Sequence, residues 1–289
     1  MVPKLISNFY LSEKSIQVGV FHTTREPWLS IAKFGQLPSW ESQDLNDFNV
    51  TYFYGKTSRT ANFLDGIIEK LRWNMGRNLS YAISYFLMAF FFPWRGYIPS
   101  ANFKDEADSG IAAYALKVNI PDLTCTMRWK KIAFLKYFLE ETSSEYTIIT
   151  NSSSILNFKS IKKSLEHIIQ TKDNIYAGPI NSAHDCNFIS GAFTILNRNS
   201  VKLLLENLKI MPVHLMDDVC FGTAFKKLGV DLINIDSLSI DSLLQLDNID
   251  AAKLSEYGHF RLKSGTLKNR NDVLLMKALI FKLHTPQNK

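Results

Sequence analysis

The sequence predicts an α/β chain built on a central, mixed but mostly parallel sheet flanked by helices. Three observations carry that expectation. Short β-branched and aromatic runs alternate with segments of helical apolar period from residue 15 onward, the pattern of strand-helix-strand units. Several of those runs end in clusters of Thr, Ser, Asn or Gly, the residues found where strands of an open sheet meet a ligand. And 46% hydrophobic with 21% charged residues over 289 positions is ordinary globular composition, enough to bury a sizeable core.

Ser15 to Thr24 (SIQVGVFHTT) reads as the first buried strand, running into a polar loop with Arg25 directly after it. Trp28 to Trp40 has a helical period, and Phe48 to Tyr54 (FNVTYFY) is a second strand. Trp129 to Glu141 predicts an amphipathic helix with Ile132, Phe134, Leu135, Phe138 and Leu139 along one stripe. Glu145 to Ile149 is a central strand that enters Thr150-Asn151-Ser152-Ser153-Ser154, and a helical pattern resumes over Ile155 to Ile169. Small hydrogen-bonding side chains at the end of a central strand suit a ligand, whereas capping the next helix explains one serine at most. Asn174 to Pro179 and Val230 to Ile235 are two more strands, Ser237 to Ala252 is loop with a short helix, and Val273 to Leu283 is the last helix.

The stretch from Asn187 to Gly222 offers chemistry. NFISGAFTIL bends at Gly191, a polar-capped amphipathic segment follows, and Asp217 and Asp218 open a further helix. Gly191 lets a ligand approach the backbone. Acids at a helix start are favoured by the helix dipole and keep their charge, which a general base needs. The plainer alternative makes one aspartate an N-cap and Gly191 a bend.

Other classes recede. Neither GxGxxG nor GxxxxGK[ST] occurs, so classical dinucleotide and Walker-type phosphate loops are not expected. The net charge of +6 is mild and its Lys and Arg residues are scattered, which argues against nucleic acid as a partner. Cys125, Cys186 and Cys220 are odd in number and lack metal-site spacing, which fits reduced thiols in a cytosol-like compartment. No signal-peptide apolar region opens the chain, and the longest apolar run, Tyr81 to Trp94, is shorter than the ~20 residues that span a bilayer. That run sits in an aromatic-rich insertion around residues 60–105 with Lys70, Arg72, Arg77 and Arg95 beside it. A core-packed helix, a binding flap and a peripheral membrane contact are its three readings. The rest is one domain over residues 1–289 with a basic tail segment at 256–289. In an extended tail His259, Arg261 and Lys263 share one face, an arrangement suited to a diphosphate or, alternatively, to a solvated edge strand.

Taken in order, these segments resemble the GT-A glycosyltransferases of the β-1,3-glycosyltransferase and Fringe type. VFHTTRE with SIAKFGQLPSW resembles the family's opening strand, nucleotide loop and helix. Asp122-Leu123-Thr124 with the helix from Trp129, Tyr176-Ala177-Gly178, Asn187 to Leu196, and Met216-Asp217-Asp218-Val219 with Gly222 resemble its later motifs. The likeness covers residues ~16–57 and ~105–235, and its specificity lies in the ordered set rather than in any member. One motif departs: where the family carries a DxD-type acidic motif for a divalent metal, this chain has TNSSS.

The resemblance implies a GT-A, Rossmann-like fold and an inverting transferase that moves a sugar from a nucleotide-sugar donor, a UDP-sugar above all, to a hydroxyl of a glycan or glycoconjugate. It implies Asp218 as base with Asp217 in reserve. Thr23, Arg25, Asn151, Ser152 and Ser153 are implied at the donor, and Gly191 and Ala192 on the acceptor side. With no carboxylate at the DxD position, a metal such as Mn2+ is not expected to be required. Arg261 and Lys263, assisted by His259 and joined by Arg270 or Arg25, are expected to neutralise the leaving diphosphate. A catalytically inactive nucleotide- or glycan-binding relative is the alternative.

Overall fold

The computed structural model describes residues 16–56, 98–104, 110–111, 115–123, 126–169, 172–183, 185–212, 215–265, 270 and 272–284, with the single positions 63 and 67. The aromatic run at 81–94 lies outside the described residues.

The first half runs β1 (Ile16–Phe21), α1 (Trp28–Ile31), a π-helical turn (Ala32–Gln36), α2 (Leu37–Glu41), β2 (Phe48–Lys56), β3 (Ala101–Lys104), β4 (Ala115–Pro121), α3 (Met127–Glu141), β5 (Tyr146–Asn151), β6 (Ser154–Leu156) and α4 (Phe158–Ile169). The second half runs β7 (Tyr176–Gly178), β8 (Ile180–Ala183), β9 (Cys186–Ile189), β10 (Phe193–Asn197), α5 (Arg198–Glu206), a 3-10 turn (Leu208–Ile210), α6 (Asp217–Lys227), β11 (Leu232–Asn234), β12 (Ser237–Ile240), α7 (Leu243–Asp247), α8 (Ala251–Leu254), β13 (His259–Leu262) and α9 (Asp272–His284).

Eight strands form the central sheet in the order β11-β7-β10-β5-β1-β2-β4-β3. β1 pairs in parallel with β2 and β5, β2 with β4, and β7 with β11. β10 runs antiparallel to β5 and β7, and β3 antiparallel to β4, so the sheet is mixed and mostly parallel, as the sequence predicts. The apolar run IQVGVF is buried almost throughout because a central parallel strand is covered on both faces. The two-residue period then sorts β5: Ile148 joins a core with Val18, Trp40, Tyr52 and Phe158, while Ile149 faces Phe134, Phe138 and Phe225. Gly19 is needed here, since a Cβ on it would lie 2.3 Å from the Phe134 ring of α3.

Two segments differ from their sequence expectation. Ser154–Leu156 is a strand rather than the start of a helix, and Ser237–Ile240 is a strand rather than loop. Both are short and lack alternation of their own. They are strands because β13 lies between them, in the order β12-β13-β6. This second sheet positions the site: β13 is its central strand, not a solvated edge, and it pairs Arg261 with Ser154 and His259 with Leu156. α9 then packs back on the π-helical turn, where a Cβ on Gly35 would meet Met276 Sδ at 2.6 Å.

Candidate active site

Parallel strands end on one edge of a sheet, so the loops after β1, β4 and β5 converge there. β10 runs the other way, which brings the turn that starts it, Ser190 to Ala192, to the same edge. That turn is fixed to the end of β5 by Thr150 Oγ1, which donates to the Ala192 carbonyl at 2.8 Å.

Gly191 faces the start of α6. A Cβ there would lie 2.7 Å from Lys131 Nζ, 3.5 Å from Asp217 Oδ2 and 3.5 Å from Asp218 Cβ. Lys131, buried on α3, forms an ion pair with Asp217 at 2.5 Å and reaches the Gly191 carbonyl at 3.5 Å. Neither aspartate is an N-cap: Met216 holds that position without a side-chain cap bond, and the two acids fill the first turn. They are electrostatically unequal. Burial pushes Asp217 up, but the charge and hydrogen bond of Lys131, with the backbone N–H groups of residues 217 and 218, hold it below the usual carboxylate range. Asp218 is pushed up to about 6 by burial and by the Asp217 charge. Lys131 and the N–H groups of Val219, at 3.0 Å, and Gly191 oppose that rise without cancelling it. The expectation that both acids keep a fully developed charge therefore holds for Asp217 alone. A carboxylate poised near 6 is matched to proton transfer close to neutral pH.

The second patch is the turn after β5. Asn151 Oδ1 accepts from the Ser153 N–H and the Ser154 hydroxyl, both at 3.1 Å, and from the Arg261 guanidinium. Arg270 Nη2 donates to the Ser153 hydroxyl and the Leu262 carbonyl, pairs with Asp272, and lies over the Trp28 ring at 4.8 Å. The tail thus docks two arginines on the turn. Burial and the nearby Arg270 charge lower the Arg261 pKa to about 10, while Asp272 opposes the drop. Among the described residues, the hydrogen bond that Arg261 donates is the one to Asn151. That leaves other N–H groups of Arg261 with no partner among the described residues, whereas Arg270 is largely committed to the protein. Ser152 is buried in the same turn. Gln36, at the end of the π-helical turn, fixes the backbone by donating to the Asn151 and Ser154 carbonyls at 2.8 and 2.7 Å. π-helical turns inside helices occur frequently at functional sites.

His259 does not join the cationic face. It is buried, its Nδ1 lies 2.7 Å from the Ser237 hydroxyl and its Nε2 3.0 Å from that of Ser154, and its ring stacks on Phe193. Burial, then the Arg261 charge, lowers its pKa to about 3, so it is a neutral structural residue with both ring nitrogens engaged. Lys263, beyond the end of β13, is exposed.

The third patch follows β1. Thr23 is buried and its hydroxyl accepts from Arg25 Nε at 3.2 Å, while Arg25 Nη2 reaches the Asp122 carbonyl at 2.8 Å. Asp122 forms a buried ion pair with Lys130. Burial would raise its pKa, but Lys130, the Thr23 hydroxyl and Arg25 together keep it low.

Sequence reasoning overlooked Lys130, Lys131 and Gln36. A signal for the lysines was present. MRWKK starts a helix with cations where the dipole favours anions, and Arg128, Lys130 and Lys131 are all buried. A local rule broken in this way marks a site whose partners lie elsewhere in the chain.

A divalent cation wants several anionic oxygens. The Asn151–Ser154 turn has none, its amide oxygen already accepts three hydrogen bonds, and two guanidinium groups face it. This donor set does not fit a metal. Among the described residues, no group of three or more His, Cys, Asp or Glu side chains is placed to hold one.

Comparison with protein-family models and with curated protein sequences finds no match to this chain. Comparison with solved structures finds similar ones. A mannosyltransferase from Pyrobaculum calidifontis, solved in complex with GDP-Man and Mn2+, aligns at 14% identity and a TM-score of 0.40 over 77% of this chain. The chain spans 55% of that protein's length. The galactosyltransferase LgtC, solved with donor and acceptor sugar analogs, aligns at 10% identity and a TM-score of 0.41, covering 94% of this chain and 97% of its own.

Proposed function

We propose that the chain is an inverting glycosyltransferase of GT-A type that uses a nucleotide-sugar donor, a UDP-sugar by resemblance, without a metal ion. One observation carries the reading: an aspartate poised near neutrality and a guanidinium with N–H groups unpartnered among the described residues flank the 190–192 turn at the edge where the parallel strands end. An acceptor hydroxyl approaches the anomeric carbon from the face opposite the diphosphate. Its oxygen forms the new bond, its proton passes to Asp218, and the bond to the diphosphate breaks with the electron pair leaving on phosphate. Arg261, with Arg270 behind it and Lys263 at the rim, meets the charge that develops there. Thr23 and Arg25 hold the nucleotide, and Asn151, Ser152 and Ser153 shape the donor side. Gly191 and Ala192 leave room for the acceptor.

Calorimetric titration of UDP, once with EDTA and once with manganese, tests the donor half. Equal affinity in both is expected, and binding only with manganese overturns metal independence. The Asp218→Asn variant tests the base: it should bind UDP as the parent does and lose transfer by about 100-fold or more, while undiminished turnover removes Asp218 from the role. A parent chain that binds UDP and never hydrolyses or transfers a donor sugar belongs instead to the nucleotide-binding alternative.

A further inference from the structure

Lys131 is buried, it lies on a different element from the acids it serves, and it contacts only one of the two. Its ammonium is 2.5 Å from Asp217 Oδ2 and sits where a side chain on residue 191 would have to go. Asp218 Oδ1 instead accepts the Val219 N–H. We propose that Lys131 is a positioning residue that fixes the order in which the two aspartates ionise, keeping Asp217 a permanent anion and leaving Asp218 as the group that exchanges a proton. Two adjacent carboxylates with no asymmetric partner share a proton and divide its titration between them. A cation on one of them breaks that degeneracy. The acid paired with the cation stays an anion, and the proton is left to the second carboxylate, which feels both that fixed negative charge and, more weakly, the cation behind it.

The other groups facing the pair do not take over this task. Arg128 of α3 points to the Pro212 carbonyl and to Cys220 Sγ, and stacks over Trp129. Tyr176 of β7 has its hydroxyl pKa pushed up, first by burial, and that hydroxyl accepts the Ile189 N–H at 3.1 Å. Cys220 on α6 is pushed up to about 11, mainly by burial, and stays a thiol. Cys186 of β9 directs its thiol to the Asn187 carbonyl at 3.2 Å. Among the described residues, Lys131 is the cation shown in an ion pair with either aspartate.

The proposal rests on the reading of Asp218 as a base, yet it can be tested without any donor. Aspartate side-chain carboxyls of the intact chain are labelled with 13C and titrated by NMR, with Asp218 assigned from the loss of its signal in Asp218→Asn. In Asp217→Asn the fixed anion is gone, and Asp218 should bind its proton at least about tenfold more weakly than in the parent. In Lys131→Met it should bind about tenfold more tightly, with Asp217 titrating alongside it. The double variant Lys131→Met/Asp217→Asn leaves a neutral neighbour, and its Asp218 should fall between Asp217→Asn and the parent. Should Lys131→Met alone fail to fold, this order among the other three proteins decides the matter. An Asp218 titration indifferent to Lys131, or a double variant that binds the proton more tightly than the parent, overturns the proposal. The correct order in a chain that transfers no sugar keeps the device and removes the catalytic reading. Transfer whose acidic limb ignores both substitutions removes the device and keeps the catalysis.

Discussion

Gly191 shows how little space the fold leaves beside the aspartate pair. A methyl group there collides with the Lys131 ammonium, which is tied to Asp217 and cannot swing aside without breaking the ion pair. If the proposed function holds, Gly191→Ala should lower turnover about tenfold or more while leaving UDP affinity within about twofold, because that reading puts the clash on the acceptor side. Paired kcat and Kd measurements check this split, and loss of UDP affinity instead would move the donor onto the 190–192 turn. Arg261→Met should do the reverse. A charge-assisted bond to phosphate contributes about 1.5–3 kcal/mol, so UDP binding by calorimetry should weaken at least about tenfold. An unchanged Kd would leave Arg261 with only its structural bond to Asn151.

At the level of the element, α6 and its neighbours are held by backbone approach as much as by side chains. α6 lies so close to β9 that a Cβ on Gly222 would come within 2.3 Å of Phe188 Cβ and 2.9 Å of its Cα. The obstacle is main chain on one side, so relief requires the helix to move. Gly222→Ala should cost about 1–3 kcal/mol, read as a lowered guanidinium midpoint, and should disturb the Asp pair that starts the same helix. Midpoint and activity both at parental values would mean that α6 has slack the structure does not suggest. The elements were legible where periodicity is strong. β1, β2, β5, α3 and α9 fall within a few residues of their expected places because continuous apolar runs and helical stripes are local properties. β6 and β12 were not legible: three or four residues take strand form only because β13 pairs with them. The same non-locality hid Lys131. Its charge at a helix start reads as a misfit until the distant Asp217 is placed beside it.

For the whole molecule, pH is the informative variable, because buried His259 and half-buried Asp218 pull in opposite directions. His259 is neutral in the fold with its pKa lowered from 6.5 to about 3, so its contribution is present above 6.5 and drains away as pH falls toward 3. Asp218 has its pKa raised from 3.8 to about 6, so its contribution is present below 3.8 and is lost as pH rises through 6. His259→Gln should therefore flatten the loss of stability on acidification between pH 6.5 and 4. Asp218→Asn should raise stability at pH 7.5, by an amount on the order of 1–2 kcal/mol that vanishes near pH 4. Thermal unfolding of both variants and the parent across this range gives the comparison, and an Asp218→Asn chain that is less stable at pH 7.5 would contradict the buried, like-charged environment assigned to that residue. That Asn151, Gly191 and Asp218 share one sheet edge was readable from the order of motifs, whereas His259, expected beside a diphosphate, lies in the core with both ring nitrogens engaged. Alternation puts His259 and Arg261 on one face, but only the fold shows that this face is core at one residue and site at the next.

The docking of the tail on the turn after β5 also sets a timetable. Asn151 and the arginine that completes its surroundings are 110 residues apart in the chain. On a ribosome adding 5–20 residues per second, the turn waits roughly 5–20 s for its partner. Asp217 and Asp218 are themselves made only 66 and 67 residues after Asn151, so in the last part of that interval the nascent chain can hold the aspartate pair and its lysine without Arg261, and on the proposed reading the arginine's share of donor binding arrives last.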